Sequence, residues 1–114
     1  SLFDKGQYEQ WGELQSYFGF EYNSISSERI KVLQKEAPEV LIPLYHQMVG
    51  DLIEMKNRSS YKQAARLLKK LRTVYKKMKR VPEWEEFFGK LLVRTKRLRA
   101  FHEECTRSKL IELE

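Results

Sequence analysis

His46, His102 and Cys105 are the residues of this 114-residue chain whose types lend themselves most readily to chemistry. Two imidazoles and a thiol are zinc ligands, and a thiolate beside an imidazole is a nucleophile. His102 and Cys105 lie three apart, on one face of a helix, where a second helix carrying His46 can face them. Three such ligands from two helices make a thin metal site. Both His102 and Cys105 also fall on the apolar stripe of their segment, where a histidine and a free cysteine are ordinary core residues. A reactive thiolate needs an exposed, electropositive pocket and a third orienting group. The chain has no Gly-rich phosphate loop, no GxSxG elbow and no HExxH. Its adjacent acid pairs, Glu85-Glu86 and Glu103-Glu104, point about 100° apart on a helix and cannot act on one substrate together. The expectation is therefore no catalytic residue, no metal ligand, no small-molecule substrate and no cofactor within this chain.

Charge offers more. Residues 61–80, "YKQAARLLKKLRTVYKKMKR", hold nine lysines and arginines and no acid. At helical spacing, Lys62, Arg66, Lys69, Lys70, Lys76, Lys77 and Arg80 fall opposite an apolar side made by Tyr61, Ala64, Leu67, Leu68, Leu71, Val74, Tyr75 and Met78. Arg72 and Lys79 lie nearer the apolar border, where long stems cover the core edge. Lys96 and Arg97 extend the candidate basic face onto the outer side of the last helix. Residues 1–55 carry 4 basic and 9 acidic side chains, whereas residues 56–109 carry 18 basic and 5 acidic. An anionic partner would meet the second half and avoid the first.

Phosphates would give such a face salt-sensitive, sequence-independent affinity through counterion release. The face lacks what a sequence reader needs: Gln63 is the only amide on its helix, and Tyr61 and Tyr75 point to the core rather than outward for base stacking. Lysine outnumbers arginine six to three here, which favours point charges over bidentate phosphate recognition. The leading expectation is a non-enzymatic scaffold that contacts another protein, with an accessory nucleic-acid-binding surface as the alternative.

The elements that carry these residues are helices. Asp4 caps a first helix through Phe18, and "FEYNSISS" reads as a loop. A short helix starts at Glu28 and stops near Ala37, because the residue before Pro38 is pushed out of the helical region. Pro38 opens a helix so widely apolar, from Val40 to Met55, that it belongs at the centre; Pro43 removes a donor and should bend it. Ser59 or Ser60 caps the basic helix. Another Pro start, with Glu83, Glu85 and Glu86 in its first turn, opens one long last helix over residues 82–106. The fold class is all-α, with about five helices in antiparallel hairpins, arranged as a tetratricopeptide-like right-handed array or an irregular bundle. No signature repeats at the ~34-residue tetratricopeptide period.

The bulk numbers agree. The length suits one domain, an acidic half at 1–55 followed by a basic helical hairpin at 56–111. Five Gly and three Pro leave little room for the turns of an all-β fold. No apolar run reaches bilayer length and no charged-then-apolar leader opens the chain, so no membrane contact is expected. A lone Cys105 excludes a disulfide within the chain and makes the cytoplasm the default compartment.

"KNRSSYKQAARLLKKLRTVYKKMKR", the Glu83-Trp84 pair, "KRLRAFHEECTRSKLI" and "APEVLIPLYHQ" together resemble the C-terminal helical region of bacterial SWIM zinc-finger proteins. The resemblance covers roughly residues 36–111, and more loosely the "GQYEQW" helix. It implies a zinc module upstream, built on a CxC…CxH arrangement that this chain does not contain, and that module as a contact for the helical tail. It carries no assigned chemistry onto any residue here. His102, where the tail is expected to hold Gln, and Cys105, where an apolar residue is expected, depart from the pattern.

Overall fold

The computed structural model describes residues 27–112. The helix expected over residues 4–18 and most of the loop after it lie outside these residues. Five α-helices and one short 3-10 turn follow, with no strand among the described residues: α1 Ser27–Glu36, the 3-10 turn Pro38–Val40, α2 Leu41–Glu54, α3 Arg58–Lys77, α4 Val81–Arg94 and α5 Arg99–Arg107. The fold is all-α. No helix among these residues is long and apolar enough to cross a membrane.

α1 ends where expected, one residue before Ala37 and its following proline. Pro38 then starts a 3-10 turn rather than the α-helix itself, and α2 begins at Leu41. This displaces Pro43 into the first turn of α2. An amide there has no partner within the helix, so the missing donor costs α2 nothing and no bend need follow. The central position of α2 is as its composition demands. Leu41, Leu44, Tyr45 and Val49 are essentially inaccessible to solvent.

α3 starts earlier than the serines suggest. Asn57 is the N-cap, its side-chain oxygen accepting the amide of Ser60 at 2.8 Å, so the helix includes Ser59 and Ser60. Buried Ser60 instead donates its hydroxyl to Met55 Sδ. α2 and α3 run antiparallel, with His46 beside Tyr75 at one end and Met55 beside Ser60 at the other. This pair is the most extensive packing among the described residues.

The expected single last helix is two. It breaks at Thr95–Leu98, in a stretch with neither Gly nor Pro. Thr95 is buried and its hydroxyl bridges the Leu91 carbonyl at 2.7 Å and His102 Nε2 at 3.0 Å. The break redirects the chain so that Phe101 packs edge-on against Tyr61 of α3, with ring centres 5.8 Å apart. Phe101 and Cys105 become fully buried. Two like-charge pairs in "RTKRLR", Arg94–Arg97 and Lys96–Arg99, each costing tenths of a kcal/mol, also disfavour a straight helix there. Thus α3 packs against α2 and α5 first, and against α4 less. Buried apolar residues from Ile30 to Cys105 form one cluster around it.

Candidate binding surface

The basic arc begins with the helical turn of α3. At about 100° per residue, Lys62, Arg66, Lys69, Lys70, Lys76 and Lys77 fall within an arc of about 120°, and Lys62 to Lys76 spans about 21 Å along the axis. All six are exposed, while the opposite side, from Tyr61 and Ala64 to Val74 and Tyr75, is buried. Core packing on that side fixes which cations face solvent. Lys62, Arg66, Lys69 and Lys76 make no ion pair or side-chain hydrogen bond with any described residue, and Thr73 between them donates its hydroxyl to the Lys69 carbonyl.

The reason is where the acids went. Four of the five carboxylates of residues 56–109 are held elsewhere. Glu103 and Glu104 accept from Arg58 at 2.6 and 2.8 Å, and Glu104 also from Arg107 at 3.0 Å. Glu86 accepts from Lys90 at 3.0 Å, and Glu83 takes both arms of Arg80. These pairs sit at the α3 N-terminus, on α4 and along α5. Hydrogen bonds from Arg58 and Arg80 hold the Glu103 and Glu83 carboxyls below their ordinary values. Glu104 is buried between two arginines, a clamp that fastens α5 to the start of α3. Its two partners lie at sequence separations of 46 and 3, and no local pattern marks the longer one.

Two parts of the expected basic face are therefore corrected. Arg80 lies beyond α3, its guanidinium 5.6 Å from the centre of the Tyr75 ring and its charge committed to Glu83. Lys96 and Arg97 are exposed, but they occupy the α4–α5 turn instead of the outer side of a continuous helix. Lys77 stays on the arc and donates to the Gln34 carbonyl of α1. With Lys70, Thr73, Val74, Gln34 and Pro38 it lines a cleft of about 260 Å³ between α3 and the end of α1. Only tertiary structure creates that cleft. Arg72 reaches the border as expected, donating to the Lys109 carbonyl at 3.3 Å.

The histidines and the cysteine do not converge. His46 Nε2 pairs with Tyr75 Oη at 2.9 Å and its ring stands edge-on to Phe87, 4.1 Å between centres. Burial holds its pKa below the ordinary 6.5. His102 belongs to Thr95 and Phe101. Cys105 is fully buried, and desolvation, with the Glu104 charge adding to it, pushes its thiol up to about 12. Among the described residues no three His, Cys, Asp or Glu side chains gather around a metal-sized site.

The chain is 47% identical over 111 residues to the uncharacterized protein YwqB of Bacillus subtilis (strain 168), a match that takes in 97% of this chain and 21% of that protein. The chain thus spans about a fifth of the length of the curated relative it matches. No family model and no solved structure matches.

Proposed function

We propose that this is a non-enzymatic helical binding module that presents the exposed arc of α3 to an anionic macromolecule. The observation that carries the reading is the row Lys62, Arg66, Lys69 and Lys76, which meets no carboxylate among the described residues while neighbouring acids are consumed by other cations. A solvated helix face that served packing alone would gain by drawing acids to i,i+4 positions. Here they are withheld. The antiparallel α2–α3 pair supports a tetratricopeptide-like stacking of helix pairs, and the resemblance to the tail of SWIM zinc-finger proteins supports an upstream zinc module as a neighbour in the same protein. The single buried thiol fits a reducing cytoplasm.

Neutralising the arc tests the reading. A variant with Lys62, Arg66, Lys69 and Lys76 changed to Gln is compared on immobilised heparin with one in which exposed Lys31, Lys35, Lys56 and Arg94 are changed to Gln. Both lose four positive charges and keep helix-compatible side chains. Elution of the arc variant at clearly lower salt than the control supports an arc-borne site. Equal elution would leave net charge as the whole effect and remove the site.

A further inference from the structure

The geometry points to the B-form DNA backbone as the occupant of the α3 arc, bound without sequence preference; this inference rests on the anionic-partner reading above. Three observations select a phosphate polymer over an acidic protein surface. First, the side chains of the arc are lysines and one arginine, and lysine is depleted in protein–protein interfaces, whose energy comes from buried Trp, Tyr and Arg anchors. Second, no exposed large hydrophobic of the described residues lies on α3. The exposed large hydrophobics of the described residues, Val32, Met55 and Val93, lie on α1, at the end of α2 and on α4. Third, the arc carries its charge in two rows along one helix, the second bordering the cleft beside α1. Lys62, Lys69 and Lys76 recur every seven residues, about 10.5 Å apart, along one side, and Arg66, Lys70 and Lys77 run along the other.

A helix with its side chains is about 10–12 Å across, close to the ~12 Å width of the B-DNA major groove. A helix carrying two rows of cations therefore meets a groove set between two rows of phosphates. A-form RNA offers only a deep, narrow major groove that does not admit this helix. Single strands are bound chiefly by exposed aromatics that stack bases. The α3 tyrosines, Tyr61 and Tyr75, are buried. Base readout is absent for the same reason that affinity is present. The arc has one arginine, a threonine whose hydroxyl is turned to the Lys69 carbonyl, and no amide.

Fluorescence anisotropy with labelled 20-base-pair duplexes decides the matter, using the full 114-residue chain. Expected are equal affinities for two DNA duplexes of unrelated sequence and at least tenfold weaker binding by an RNA duplex and by a single strand. Four neutralised phosphates give a log–log salt slope of about −3.6, a loss of roughly a hundredfold between 50 and 200 mM salt. The arc variant should bind at least tenfold more weakly than the net-charge-matched control, with a shallower slope. A labelled polyglutamate peptide is titrated in parallel. Binding of the peptide but not of duplex DNA, lost in the arc variant, overturns the DNA inference and keeps the anionic-partner reading. RNA or single strands bound as tightly as DNA overturn the groove placement. No binding of any probe at 50 mM salt, or binding indifferent to the arc, overturns both.

Discussion

At the scale of single residues, the groups that most resembled chemistry turn out to be held in place by packing. Cys105 has no solvent-facing surface and a thiol pushed up to about 12, so it should resist a disulfide reagent in the folded protein. One thiol per chain should react only in denaturant. Rapid labelling of the native protein would contradict the buried placement. His46 has a pH signature. Its pKa is lowered in the fold by burial from an ordinary 6.5. Above that value both folded and unfolded states are neutral and the residue adds no pH dependence. Below it the unfolded state takes up the proton first, so stability falls with falling pH until the folded-state pKa is passed. Urea midpoints at pH 7.5 and 5.5 should differ more for the native sequence than for His46→Gln. Of the two, Cys105 was legible from sequence as a residue of the apolar stripe. The partners of His46, Tyr75 and Phe87, were not, because they come from helices distant in the chain.

At the scale of elements, the ends of the helices hold most of what local pattern missed. Asn57 rather than a serine satisfies the α3 N-terminus, so Asn57→Ala should cost about 1 kcal/mol by thermal or urea unfolding and Ser59→Ala much less. Lys56, Lys79 and Lys109 all have positive φ, at 52°, 59° and 61°. They follow the ends of α2, α3 and α5, where a left-handed residue lets the next amides close onto late carbonyls, as Arg80 does onto Tyr75 and Leu110 onto Cys105. Glycine adopts that conformation without strain, while lysine offers charge to the helix C-terminus in partial compensation. Lys79→Gly should therefore raise stability by about 0.5 kcal/mol, and Lys79→Val should lower it. The helical character of the described stretches and the starts of α1 and α4 were readable from proline, acid and apolar spacing. The break at Thr95–Leu98 was not, because the contacts that accompany it, Phe101 against Tyr61 and Thr95 on His102, form only in the folded chain.

At the scale of the whole molecule, charge is sorted rather than spread. Acids of the second half pair with Arg58, Arg80, Lys90 and Arg107 on or beside α4 and α5, and Lys62, Arg66, Lys69 and Lys76 of the α3 arc meet no carboxylate among the described residues. The sequence showed the asymmetry and put seven of the nine candidate cations on one helical face, of which six stand on α3. It could not show that Arg80 lies beyond the end of α3 beside Glu83, or that Lys96 and Arg97 lie in the turn where the last helix breaks. The arc and the fold are separable. Four Lys/Arg→Gln changes on exposed positions should leave the thermal midpoint nearly unchanged, whereas Phe101→Ala in the core should cost about 3–5 kcal/mol.

The most direct measurement is the affinity of the arc variant and of its net-charge-matched control for one duplex DNA at 50 mM salt, with folding of both verified by circular dichroism. A drop of tenfold or more confined to the arc variant is the expected result. Equal affinities in two folded proteins of the same net charge would contradict the claim that α3 presents a binding face.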